Sequence, residues 1–135
     1  MKVLVDTSVW SLALRRAPRR GPNAVAEKLA DLVQASMVVL MGPVHQELLS
    51  GISDEQMFLD LKSKLLHFDD EPISVADYET AARFFNTCRS HGLQGSYIDF
   101  LICAVAANHG LLIFTADQDF KLFAKHLPIR LFQFS

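Results

Sequence analysis

With 135 residues, half of them hydrophobic and 21% charged, the chain has the makeup of one globular domain and not of a disordered segment. Thirteen basic against fifteen acidic side chains leave a net charge of −2, so no overall basic surplus marks a nucleic-acid binder, and only the placement of the charges bears on that question. Cys88 and Cys103 sit in apolar helical stretches without CxxC or Cys/His zinc spacing, which argues against a disulfide scaffold or a structural zinc site.

The predicted elements alternate along the chain. Residues 2–5 form a short apolar strand that runs into Asp6-Thr7-Ser8, and Val9, Trp10, Leu12 and Ala13 continue it as a helix. The beginning therefore reads as a strand and not as a charged-then-apolar leader, and no apolar run approaches the roughly 18 residues a bilayer demands. The expectation is a soluble, cytoplasmic protein with no membrane partner. Arg15, Arg16, Arg19 and Arg20 then cluster around Pro18, and Gly21-Pro22 closes the loop. Asn23 is placed to cap a helix to about residue 36, with Val25, Ala26, Leu29, Leu32 and Val33 facing inward.

Residues 37–41 make a second apolar strand. Gly42-Pro43 turns it into a helix, with proline at the first helical position. That helix carries Glu47 and stops at Gly51. Ser53 with Gln56 predicts a capping box for a helix to about residue 67, striped by Met57, Phe58, Leu61 and Leu65. Asp69-Asp70-Glu71-Pro72 is a polar break. A short extended piece over 73–75 and a helix over 76–90 follow, with Tyr78, Ala81, Ala82 and Phe85 facing inward; Phe84 and Phe85 are adjacent and cannot both face one core.

The stretch 96–120 organises the rest. Ile98, Leu101, Ile102, Val105 and Ala106 recur at three and four, one helical face. Gly110 ends that helix where a left-handed residue is needed. Residues 111–114 are apolar without alternation, as suits a parallel strand covered on both faces. Thr115, Asp117 and Asp119 come directly after it; a helix then reaches about residue 126, Pro128 ends it, and 129–132 reads as a last strand. Strands alternating with helices predict an α/β fold, a central parallel sheet flanked by helices, with the whole of residues 1–135 as a single domain.

Three apolar strands are each followed by an acid: Asp6, Glu47 and Asp117. Asp99, in the first turn of a helix, adds a fourth. In open α/β sheets ligands collect at the carboxyl ends of the strands. Carboxylates gathered there cannot all stay ionised without a positive charge among them. A hard divalent cation, Mg²⁺ or Mn²⁺, prefers such oxygen donors.

These residues also carry a resemblance. Asp6-Thr7-Ser8, Glu47 with Gly51 four residues on, Asp99 followed by Ile102, Ala104, Ala106 and Gly110, and Thr115-Ala116-Asp117-Gln118-Asp119-Phe120 together resemble the PIN-domain family. The closest likeness is to its VapC-type toxin ribonucleases, from residue 2 to about 132. The resemblance implies a PIN-like three-layer fold and metal-dependent endonucleolytic cleavage of RNA. It implies that Asp6, Glu47, Asp99 and Asp117 are the catalytic and metal-holding acids, with Asp119 a further acid of less defined role. Thr7, Ser8 and Thr115 match positions whose hydroxyls support the site. A homodimer and a cognate VapB-type antitoxin that covers the acidic pocket are implied as partners. The segment Gln94-Gly95-Ser96 has no counterpart in the pattern.

Each signal has a plainer reading. Asp6 alone would be a strand-end cap, Glu47 an exposed helical acid, and Asp99 the acid of a capping box with Ser96. Asp117 and Asp119 both suit a helix N-terminus. The four arginines are either a solvated loop or a grip on RNA phosphates. Trp10 reads as core or dimer interface, and the five histidines show no paired metal spacing and read as ordinary. Two other functional classes share parts of this pattern. A receiver-like Mg²⁺-binding signalling module needs a lysine after a later strand that is not in place here. A catalytically silent PIN-like RNA-binding or scaffold domain would not need all four acids.

Overall fold

The computed structural model describes residues 1–14 and 24–133; Arg15, Arg16, Arg19, Arg20 and the expected Asn23 cap lie outside them. In chain order the elements are β1 (Val3–Val5), α1 (Thr7–Leu14), α2 (Ala24–Gln34), β2 (Val38–Val39), α3 (Gly42–Leu49), α4 (Glu55–Leu65), α5 (Val75–Ser90), α6 (Tyr97–His109), β3 (Leu112–Phe114) and α7 (Asp119–Phe123). The strands pair in parallel in the order β2-β1-β3, with Leu4 opposite Val39 on one side and Ile113 on the other. Val3, Leu4 and Val5 have no exposed surface, because β1 is central and covered on both faces. Parallel pairing makes each connection cross back through helices. The carboxyl ends of all three strands therefore share one edge of the sheet.

The helix α6 lies against that sheet and against α5. Its residues 100–106 are buried throughout, so it is apolar on nearly every side and not only on the stripe seen in the sequence. Ser96 and Asp99 close its N-terminus as a reciprocal capping box, and Gly110 ends it with φ of 70°. Both ends follow the sequence expectation. Cys88 and Cys103 are buried free thiols, and burial raises the pKa of both, that of Cys103 well above the ordinary thiol value. No helix among the described residues is long and apolar enough to cross a membrane.

Several elements differ from the sequence reading. The N-cap of α4 is Asp54, whose carboxylate accepts the Met57 N–H at 2.9 Å. Ser53 lies one residue too early, and Gln56 instead donates to Asp60 within the helix. The extended piece expected at 73–75 is helical from Val75, because Ser74 and Asp77 form a second capping box. Strand-like pairing occurs earlier, as a single bridge between Leu40 and Asp70. The last strand reduces to one bridge, Leu131 with Ile113, held by two backbone hydrogen bonds. The helix expected to reach about residue 126 ends as α7 at Phe123. Phe84 and Phe85 both pack partly against the core, since the covered face of α5 is wider than one stripe.

His109 is not an ordinary histidine. Its Nδ1 lies 2.6 Å from Glu71 Oε2 and its Nε2 2.9 Å from Asp77 Oδ2. Carboxylates only accept, so satisfying both contacts requires both ring nitrogens to carry protons. The hydrogen bond that His109 donates to Glu71, with help from the one to Asp77, raises the imidazole pKa against the opposing effect of burial. Burial works to raise the Asp77 pKa, but hydrogen bonds from the Ser74 backbone, Asn108 and His109 outweigh it and hold it below the ordinary value. The cluster ties the C-terminus of α6 to the N-terminus of α5.

Candidate active site

β1 delivers Asp6 to the carboxyl edge of the sheet, where its backbone N–H bonds to Phe114 O at 2.9 Å. This extends the β1–β3 ladder by one step and sets Asp6 beside Thr115. Asp6 is 6% exposed, one of two buried charged side chains among the described residues. A buried carboxylate must be hydrogen-bonded, and two hydroxyls converge on its Oδ2: Ser8 donates at 2.7 Å and Thr115 at 2.8 Å. Each hydroxyl oxygen in turn accepts a backbone N–H, Ser8 from Ala116 at 2.9 Å and Thr115 from Asp117 at 3.0 Å. A hydroxyl has one proton to give. With both protons directed at Asp6, the 3.3 Å contact between the two hydroxyl oxygens is proximity and not a third bond.

The same network fixes the turn after β3. Asp117 Oδ1 accepts the Asp119 N–H at 2.9 Å, so one oxygen of Asp117 starts α7 while the residue stays at the strand end. Asp119 itself is exposed. On the other side Thr7 donates to Glu47 Oε1 at 2.7 Å, which draws the exposed helix α3 acid toward the start of α1, next to Asp6. Asp99 Oδ2 caps α6 through the Ser96 N–H at 3.0 Å. Its pKa is nevertheless raised, first by burial and further by the charges of Asp6 and Asp117, against the hydrogen bonds from Ser96. Asp99 therefore caps its helix, and its carboxyl also feels the charges of Asp6 and Asp117.

The fold thus brings Asp6 and Asp117 within electrostatic reach of Asp99, bonds Glu47 to Thr7, the residue after Asp6, and ties the Asp119 N–H to Asp117. The donor set is entirely oxygen, the chemistry of a hard cation. Among the described residues no three carboxylate, histidine or cysteine side chains converge on one ready cation position. Mg²⁺ keeps several waters and takes one or two carboxylates directly, so it does not require three such groups. An apolar cavity of about 470 Å³ lies elsewhere, between α5 and α6, lined by Tyr78, Phe85, Tyr97, Ile98 and Leu101 among others. It contains none of the acids. A smaller cleft adjoins them, lined by Thr115, Asp117, Gln118, Lys121, Leu131, Phe132 and Gln133. In the sequence 129–132 reads only as a last strand, and neither it nor Lys121 is marked as part of the site. Lys121 stands four residues after Asp117, a legible signal; nothing local ties Phe132 or Gln133 to the acids.

The PIN domain family model matches residues 3–126. VapC ribonuclease Mb1587 of Mycobacterium bovis and ribonuclease VapC11 of Mycobacterium tuberculosis are each 29% identical over 129 residues, spanning 91% of this chain and 92% of theirs. In fold, the chain is similar to one in the crystal structure of VapBC2 from Rickettsia felis bound to a promoter DNA fragment, with a TM-score of 0.79, 16% identity and full coverage of both chains. It is also similar to one in FitAcB from Neisseria gonorrhoeae, with a TM-score of 0.75, 23% identity, and 97% of this chain and 96% of that one covered.

Proposed function

The chain belongs to the PIN domain family, and from that premise we propose that it is a metal-dependent endoribonuclease toxin of the VapC type. Membership of that family sets aside the receiver-like alternative. The ribonucleases named above lend support. The observation that carries the reading is the acidic site at the carboxyl edge of the sheet: Ser8 and Thr115 hold the buried Asp6, the Thr115 hydroxyl also accepts the Asp117 N–H, and Asp99, whose pKa is raised first by burial, feels the charges of Asp6 and Asp117 as well. Such mutual repulsion is costly unless a cation or a proton relieves it.

Asp6, Asp99 and Asp117 are the residues that would hold Mg²⁺ or Mn²⁺, directly or through water. When bound, such an ion lowers the pKa of coordinated water and steadies charge on a phosphoryl oxygen. The chain's own residues supply the geometry. Ser8 and Thr115 pin Asp6 by one oxygen, so its carboxylate cannot rotate away as substrate enters. Thr7 holds Glu47 where it can orient an attacking water or share a second cation. Asp119 adds negative charge at the rim. In-line attack on an RNA phosphodiester leaves 5′-phosphate and 3′-hydroxyl ends. A VapB-type antitoxin, as in the VapBC complex that shares the fold, is the inhibitory partner, a second copy of the chain the other, and the cytoplasm the compartment.

Asp6→Asn tests the reading. It keeps the shape and removes one charge, so Mg²⁺-dependent cleavage of single-stranded RNA should fall about 10²-fold or more, the scale on which losing one charge-stabilising group acts. Undiminished cleavage by a folded Asp6→Asn chain would sink the mechanism.

A further inference from the structure

The cleft beside the acids holds about 180 Å³ and shares Thr115 and Asp117 with them. Its other walls come from two separate segments. Gln118 and Lys121 belong to the turn and helix after β3, while Leu131, Phe132 and Gln133 belong to the C-terminal segment. The bridge of Leu131 to Ile113, with the Phe132 N–H bonded to Ile113 O at 2.7 Å, fixes the second wall against the first. Gln118, Lys121 and Gln133 are exposed and Phe132 is half-buried. The Phe132 ring leans on Phe114 at 5.2 Å between centres and has the Lys28 ammonium 5.8 Å from its centre.

We propose that this cleft is a nucleotide subsite, which holds a base and phosphate next to the scissile bond of an RNA strand and selects the sequence that is cut. The proposal rests on the ribonuclease reading and adds a specificity device to it. Carboxylates alone repel a polyanion, and a strand that approaches them needs cations close by. Lys121 on the cleft wall and Lys28 beside Phe132 provide them. A glutamine amide both donates and accepts, so Gln118 and Gln133 together can read the edge of one base. Sequence-specific recognition of RNA works in this way, on unstacked bases packed against apolar or aromatic walls, and here those walls are Leu131 and Phe132. The larger groove between α5 and α6 has no cation in its lining. The cleft lined by Lys2 and Lys64 has cations but none of the acids.

The test uses fluorescently labelled single-stranded RNA 10-mers, randomised one position at a time around the cut. Cleavage is measured with Mg²⁺, and binding is measured separately by anisotropy in EDTA across a salt series. The variants are Gln118→Ala, Gln133→Ala and Lys121→Ala, all at exposed positions. The glutamine variants should lose about tenfold in kcat/KM on the preferred base, and little on the others, so that base preference relaxes. Lys121→Ala should weaken binding to every sequence about equally and lower the salt slope by about one. If the wild-type chain cuts RNA and all three variants keep its base preference and salt slope, the subsite is refuted and the ribonuclease reading stands. A change in salt slope alone, with base preference intact, refutes the base-reading role. If the wild-type chain cuts no RNA with Mg²⁺ or Mn²⁺, both readings fall.

Discussion

At the scale of single residues, Asp6 shows how a buried charge is made tolerable. Its Oδ2 receives two hydroxyl protons, and each hydroxyl is itself aimed by a backbone N–H from the turn after β3. Thr115→Val preserves shape but strands the Asp117 N–H and removes half of that support. The expected cost is about 1–3 kcal/mol in a urea titration, with slower RNA cleavage as Asp6 loosens. His109 gives a pH dependence with a definite sign. Its folded pKa is raised above the ordinary 6.5, so its contribution is full below about pH 6.5 and is lost as pH rises through the folded value. Asp77 has a lowered folded pKa, so its contribution is present above its ordinary 3.8 and lost as pH falls through the folded value. The clamp is therefore strongest in mildly acidic solution. His109→Gln should lower the stability by about 1–3 kcal/mol near pH 6, and by clearly less near pH 9. Thermal melts of both chains across that window check this, and a pH-independent difference would refute it.

At the scale of elements, α6 connects the packing to the site. It is buried along residues 100–106, so its position is set by core contacts, and its first turn carries Asp99 to the other acids. The entry to this helix is tight. A Cβ added at Gly95 would lie 2.8 Å from Phe123 and 3.0 Å from Phe100, and both rings are almost fully buried. Gly95 thus belongs to the Gln94-Gly95-Ser96 segment that matched no family pattern, and its role here is to let the chain pass two aromatic rings. Gly95→Ala should cost about 1–3 kcal/mol through overpacking and should impair cleavage more than its stability loss explains, because Asp99 shifts with the helix start. Gly110→Ala is the contrast. Nothing stands within 4 Å of the added Cβ, so only the left-handed backbone opposes it, at about 1–2 kcal/mol, with cleavage by the folded fraction unchanged.

At the scale of the whole molecule, the sheet order β2-β1-β3 puts the carboxyl ends of the outer strands on either side of Asp6. Asp99 from α6 and Asp117 from the turn after β3 then come within electrostatic reach, and Glu47 of α3 bonds to Thr7, although these residues are far apart in the chain. This arrangement predicts that a cation stabilises the fold as well as the reaction, since it offsets the repulsion from Asp6 and Asp117 that adds to burial in raising the Asp99 pKa. EDTA should abolish RNA cleavage, Mg²⁺ or Mn²⁺ should restore it, and millimolar Mn²⁺ should raise the melting temperature of the wild type but not of Asp6→Asn. A melting temperature indifferent to the ion in both chains would count against the carboxylates as its holders.

How much of this was legible beforehand depended on the range of the forces involved. The strands, the α6 helix with both of its caps, and the acids at strand ends are written in local terms: apolar runs without alternation, a serine three residues before an aspartate, a glycine where φ must be positive. The misplaced starts, at α4 and at 73–75, arose where neighbouring residues offered equally good local caps, and the expected last strand shrank to one bridge. What only the tertiary structure decided was which side chains meet. His109 between Glu71 and Asp77, the Thr115 hydroxyl on Asp6, and the Thr7 hydroxyl on Glu47 join residues far apart in the chain. Such meetings follow from parallel pairing and core packing, and neither leaves a mark on any short stretch of the chain.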